Sequence, residues 1–151
     1  MRNLIKIYSV AFLCLCSFTA SAIELSEESV KAFIAKTDKA TAELNIAEIS
    51  KALSNDVIII ITASTTGQEE IITTNKQEYI SVIEKALFTT TNYKYEKIST
   101  DIKIKQSKAY VKAITKESMT IQGRDISSET KSELTVELID GELLITKMVA
   151  Y

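Results

Sequence analysis

Histidine, tryptophan and proline are absent from the 151 residues, and cysteine occurs only twice. The lack of histidine excludes the commonest general base and the commonest metal ligand at once. Both cysteines, Cys14 and Cys16, fall within the first 22 residues. That segment opens with the cations Arg2 and Lys6, runs apolar from Ile7 to Phe18 and closes on Ala20-Ser21-Ala22, a small-x-small pattern. It reads as a signal peptide cleaved after Ala22, which gives a periplasmic or secreted protein beginning at Ile23. The apolar run is shorter than the ~20 residues a spanning helix needs. Phe12-Leu13 before Cys14 and Leu15 before Cys16 lack the small residues of a lipoprotein signal. A chain cleaved there has no thiol, and so no disulfide and no thiolate nucleophile.

Removing 22 residues from 151 leaves 129, a normal length for one domain with its own core. Arg2 and Lys6 are the only charges removed, so the formal charge moves from −2 to −4. A mildly acidic chain without a basic stripe is not expected to bind nucleic acid, and after cleavage no membrane segment remains. No repeat, linker or Gly/Ser-rich stretch divides residues 23–151, which are read as a single domain. No cofactor motif appears. The carboxylates show no metal-ligand spacing either: Asp56 and Glu69-Glu70 belong to turns, while Asp38 and Glu43 belong on the exposed side of the first helix.

Ser26 is a good N-cap, followed by Glu27 and Glu28 in the first turn. Val30, Phe33, Ile34, Thr37, Thr41 and Leu44 then recur at helical spacing as one buried stripe. Asn45 with Glu48 starts a second, short helix running to about Leu53, which Asn55-Asp56 ends. Val57 to Ile61 are five consecutive β-branched residues, the pattern of a strand buried on both faces. A turn around Gly67 and a short strand over Glu70–Thr73 follow. Asn75 and Glu78 cap a third helix, with Tyr79, Ile80, Val82, Ile83, Ala86 and Leu87 as its buried set. From Tyr93 to the end the period is two, which is strand.

The turns set the register of this second half. A Ser107-Lys108 turn places Ile104 opposite Val111 and Ile102 opposite Ala113. A Gln122–Asp125 turn places Val111 opposite Val136 and Ala113 opposite Leu134. Asp140-Gly141, a strong hairpin signal, sets Leu138 against Leu143 and Val136 against Ile145. One apolar face results. The other carries Lys97, Asp101, Lys103, Lys112, Lys116, Lys131, Glu133 and Glu137, with Leu144 and Met148 as the apolar centre of any sheet-to-sheet partner surface. The same pairings extend the inner face into a polar zone. Thr100, Thr115 and Ser132 form one layer, Glu117 and Thr130 the next, with Lys147, Val149 and Tyr151 contributed by the last strand. An apolar pocket with a few placed polar groups is the usual form of a small-molecule site.

The order helix, helix, strand, short strand, helix, four-stranded antiparallel meander is α+β, with three helices of the N-terminal half packed on a strongly curved mixed sheet. Together with the helix start Asn75-Lys76-Gln77-Glu78-Tyr79 ahead of the meander, it resembles the nuclear-transport-factor-two-like family. That family has the cystatin-like cone also found in ketosteroid isomerase, scytalone dehydratase and the polyketide cyclases. The resemblance implies a cone whose interior binds apolar small molecules, catalyses isomerisation or dehydration, or serves as a protein-binding scaffold. No catalytic residue carries over. The dehydratases work through histidine, and the first helix offers Phe33 where the isomerases want an aromatic hydroxyl. The expected function is an exported, non-catalytic binding domain holding an apolar small molecule or a protein partner, with Thr100, Thr115, Glu117, Thr130, Ser132, Lys147 and Tyr151 lining the pocket. The alternatives are an isomerase- or dehydratase-type enzyme with Glu117 as its carboxylate base, and a structural or inhibitory interaction protein acting through its sheet, a homodimer included.

Overall fold

The computed structural model describes residues 24–65 and 68–151, so the signal segment and cleavage site expected from the sequence lie outside the described residues. The helices are α1 (Glu27–Ala42), α2 (Ile46–Ala52) and α3 (Lys76–Leu87); the strands are β1 (Leu53–Thr65), β2 (Gln68–Thr74), β3 (Thr90–Lys105), β4 (Lys108–Ile121), β5 (Arg124–Ile139) and β6 (Glu142–Ala150). The six strands form one mixed sheet in the order β2-β1-β6-β5-β4-β3. All neighbours are antiparallel except β1 and β6. Three helices on the concave face of a curved α+β sheet form a cone.

Local chemistry sets the helix starts. The Ser26 and Ser29 side chains each accept from the other's backbone N–H, a reciprocal cap that satisfies two otherwise orphaned donors. Asn75 and Glu78 do the same for α3, and Asn45 accepts from the Glu48 N–H at the start of α2. Helix α1 ends at Glu43, and Leu44 takes a left-handed φ of 52° that redirects the chain into α2.

The core sits where α1 crosses the closed end of the sheet: Val30, Ile34, Leu53, Val57, Ile59, Ala109, Val111, Val136, Leu143 and Ile145. Strand β1 alternates instead of burying both faces, because only its concave side is covered by helix. Val57 and Ile59 are buried while Ile58 is 52% exposed. The third helix is likewise less buried than its apolar content suggested. None of its residues is fully buried and Val82 is 64% exposed, since α3 rests on the rim of the sheet. Lys76 Nζ fastens its first turn, donating to the Leu53 carbonyl at 2.8 Å.

Two hairpins turn one residue earlier than the sequence suggested. Gln106-Ser107 joins β3 to β4, with Lys105 opposite Lys108, and Gln122-Gly123 joins β4 to β5, with Ile121 opposite Arg124. Gln106, Gln122 and Gly123 carry the positive φ of tight hairpin turns. Ile102 consequently faces Val111, and Val111 faces Leu134. Each slip is two residues along the partner, so each side chain keeps its face. The Asp140-Gly141 turn pairs Leu138 with Leu143 and Val136 with Ile145, as its sequence implies.

Candidate ligand-binding site

Two bulges decide which side chains face inward toward the polar end of the concave face, and a further register shift in β3, between Thr91 and Lys94, lies at its outer edge. In β3, Lys97 pairs with Thr115 while Ser99 pairs with Ile114, so Ile98 is an extra residue. Inserting one residue reverses which side chains point inward. Tyr95 and Lys97 therefore join Thr115 and Glu117 on the concave side, and the placement of Lys97 on the outer face is corrected. In β6 the extra residue is Thr146: Ile145 pairs with Val136, but Lys147 pairs with Thr135. Lys147 is thereby turned out and exposed, and the inward position passes to Met148, opposite Leu134. Met148 accordingly leaves the outer face assigned to it.

Of the seven pocket residues expected from sequence, five keep the concave side, and four of them are at least partly buried. Thr115 is buried and opposite Thr130, Glu117 is half-buried and opposite Ser128, and Ser132 lies between Ala113 and Ala150. Thr100 keeps its parity but is exposed on the edge strand, opposite Ala113. Lys147 and Tyr151 do not belong to this group. Tyr151 is on the outer side, where its hydroxyl donates to Glu133 Oε1 at 3.3 Å. The Thr146 bulge is the physical reason for both corrections.

What joins Glu117 is a set of tyrosines. Tyr95 is its cross-strand partner, and Tyr93 and Tyr79, the latter on α3, lie near enough to feel its negative charge. Burial, and secondarily the negative charge of Glu117, push the Tyr79 phenol up to about 12. Burial likewise raises Tyr93 and Tyr95; Glu117 adds to the effect at Tyr93, and Asp38 at Tyr95. All three are neutral hydroxyls at physiological pH, able to donate and to accept. Asp38 of α1 accepts from the Tyr95 hydroxyl at 2.7 Å and forms an ion pair with Lys97. Its side chain is 24% exposed and that of Lys97 25%. Asp38 thus faces the sheet, in place of the solvent position expected for it, and pins α1 to β3.

The tyrosines and Asp38 were absent from the expected site, although a signal for them exists. Tyr93, Tyr95 and Lys97 alternate on odd positions, whereas the apolar residues of the same strand, Ile102 and Ile104, are even. A parity change within one strand marks a bulge. Leu143 and Ile145 against Met148 carry the same mark in β6.

Beyond Glu117 the concave face runs out of cover: Ser128 and Ile126, next along β5, are exposed. Glu117 lies at the boundary between the covered core and the open mouth. A depression of about 530 Å³ lies beyond it at the end of β3, β4 and β5, with Tyr93, Lys94, Met119, Asp125 and Ile126 in its wall; Glu117 does not line it. A second, more apolar groove of about 700 Å³ lies elsewhere, between α1, α2 and the start of β6, lined by Ala32, Phe33, Ala52, Leu143 and Leu144. Lys36 and Lys51 hold Glu48 at 3.1 and 2.6 Å on its rim. Among the described residues no three carboxylates are grouped so as to hold a metal ion.

No protein-family model matches the sequence, and no curated protein sequence does. Solved structures do match. An NTF2-like protein from Cytophaga hutchinsonii superposes with a TM-score of 0.67 at 12% identity, covering 84% of this chain and 98% of its own. An NTF2-like protein of unknown function from Pseudomonas putida gives 0.65 at 10% identity, covering 82% and 84%. A ketosteroid isomerase-like protein from Erwinia carotovora gives 0.61 at 14% identity, covering 80% and 91%. Identities this low speak to architecture alone, and by its architecture the chain has the NTF2-like fold.

Proposed function

We propose that the protein is an exported binding domain that holds a small, largely apolar molecule at the open end of its cone, with Glu117 and its tyrosines as the polar anchor. Export rests on the Met1–Ala22 signal pattern. One observation carries the binding reading: a half-buried carboxylate and three neutral phenols converge on the concave face where the helices cease to cover it. Folding alone has little use for such a group, because a buried carboxylate costs stability unless it is well satisfied. A ligand seated there gains hydrogen bonds from fixed donors and contact with the side chains of Met119 and Ile126.

A second reading uses the same residues as a proton-transfer site, with Glu117 as base and a neutral tyrosine hydroxyl donating to the oxygen that gains charge. The neutrality of Tyr79 and Tyr93 supports it, since only a protonated phenol can donate.

Benzyl alcohol, a neutral apolar probe, tests the site when titrated calorimetrically into the purified protein. Binding that falls at least several-fold in Tyr93→Phe and Glu117→Gln is the expected result. Binding untouched by these changes but lost in Leu144→Lys would move the site to the groove between α1 and α2 and overturn the proposal.

A further inference from the structure

The sheet has two edges, and they are built differently. Strand β3, at one end, is interrupted by two register shifts and carries Lys94, Lys97, Lys103 and Lys105. Bulges and lysines are the usual devices that keep an exposed strand from pairing with another chain. Strand β2, at the other end, has neither. Among the described residues it neighbours no strand but β1, and their ladder runs unbroken from the pair of Ile59 and Thr74 to the pair of Thr65 and Gln68. Its sequence, Gln-Glu-Glu-Ile-Ile-Thr-Thr, contains no lysine and no proline. Residues Glu69 to Thr73 are all exposed, Ile71 by 70% and Ile72 by 43%, and these two isoleucines point to opposite faces of the strand. Every second residue of such an edge turns its backbone N–H and C=O away from its one neighbour and into water.

We propose that the β2 edge is the docking surface for a second copy of this chain, the two β2 strands pairing antiparallel about a two-fold axis at Ile72. This is independent of what the concave face binds. The strand's own self-complementarity selects both the occupant and the register. With the axis at Ile72, each Ile72 lies opposite its counterpart, Ile71 opposite Thr73, Glu70 opposite Thr74 and Glu69 opposite Asn75. No like charges meet, and no carboxylate is set against an isoleucine. An axis one residue earlier, at Ile71, would put Glu70 against Ile72. The Ile72 axis also brings the acidic end of each strand beside the start of the other copy's α3, where Asn75 is the N-cap and Lys76 the first residue of a 12-residue helix. Negative charge is favoured at that positive end of a helix. Glu78 in the same turn is already held by the Thr74 hydroxyl at 2.9 Å and by the Asn75 N–H. A two-fold contact consumes both β2 edges and leaves none for a third copy, so the assembly closes as a dimer with the protected β3 edges outermost.

Two edges this short bury less than a standard interface, so the dimer should be weaker than about 1 μM and dissociate on dilution. Sedimentation equilibrium of the purified protein over a range of concentrations should show a reversible exchange between monomer and dimer. Ile72→Lys brings two like charges together on the axis and should weaken association about tenfold or more. Its melting transition in dilute solution should match the parent's, because the position is already exposed. A chain beginning at Ile23 has no cysteine, so single cysteines report the register. Ile72→Cys should give a disulfide-linked dimer under mild oxidation, since opposite Cα atoms of an antiparallel pair lie about 4.5–5.5 Å apart. Glu69→Cys, opposite Asn75 and remote from its own counterpart, should not. A monomer at every concentration up to about 1 mM overturns the proposal, and so does a dimer that survives Ile72→Lys. A dimer that is lost in Ile72→Lys but links through Glu69→Cys overturns the axis at Ile72. Assembly that grows past the dimer and is lost in Ile104→Lys joins β2 to β3 of the next copy, and overturns the two-fold contact.

Discussion

The two ends of the concave face are made from the same strands under opposite rules. At the closed end, Val57, Ile59, Val111, Val136 and Ile145 interlock beneath Val30 and Ile34 of α1, and nothing polar interrupts them. At the open end, Tyr95, Lys97, Thr115 and Glu117 occupy the equivalent inward positions, and Asp38 replaces the apolar contact of the helix with an ion pair and a hydrogen bond. The Ile98 bulge comes between the two ends of β3. Stability is concentrated where packing is dense, which leaves the polar end to be held by directional bonds that a ligand can rearrange.

The contrast is broken most directly by hollowing the closed end. Ile59→Ala deletes a fully buried side chain and should cost about 2–5 kcal/mol in denaturant unfolding; a loss below about 1 kcal/mol would mean the core lies elsewhere. The open end should respond to alkali. Tyr79 is raised to about 12 in the folded state, above its ordinary value of 10.0. Its contribution is full below pH 10, where both states hold the proton. Between pH 10 and about 12 the unfolded chain releases a proton that the folded protein keeps, so stability falls by about 1.4 kcal/mol per pH unit. Tyr79→Phe should remove that share of the slope, measured by denaturant unfolding across this window.

Asp38→Asn leaves Lys97 half-buried without its counter-charge and weakens the acceptor for Tyr95. A loss of about 1–2 kcal/mol is expected, less than for a fully buried pair because water reaches both groups. Asp38→Ala with Lys97→Ala should cost less than the sum of the two singles. Gly141→Val tests the last hairpin, where Gly141 has φ 83° and no room problem of its own. The strain of a β-branched residue in the left-handed region should cost about 1–2 kcal/mol, read as a lowered melting temperature. The smallest effect is expected at Lys147. Exposed on the outer face, Lys147→Met should stay within about 0.5 kcal/mol of the parent protein. A larger loss would place it back inside and undo the Thr146 bulge.

Glu117, Thr115, Thr130 and Ser132 could be assigned to the concave face from the alternation of their strands alone, because a two-residue slip in two hairpins leaves parity intact. Tyr93, Tyr95, Lys97 and Asp38 could not be assigned in the same way. The inward position of the three β3 residues depends on one extra residue, Ile98, whose place in the ladder depends on what β4 offers opposite it, and Asp38 turns toward the sheet because Tyr95 and Lys97 stand beneath α1. The mistaken inward placement of Lys147 and Tyr151 has the same origin in Thr146.

Some of the architecture is encoded within a few residues at a time: the Ser26, Asn45 and Asn75 caps, the Asp140-Gly141 turn, and the order of three helices and six strands. These follow from short-range hydrogen bonding and backbone sterics, which need no knowledge of the rest of the chain. Long-range packing is what sets α3 on a rim, covers β1 on one face, and makes two bulges exchange Lys147 for Met148 and bring Lys97 inward. Each of those depends on which surface another element covers and how a curved sheet absorbs its strain, and neither is a property of any local stretch of residues.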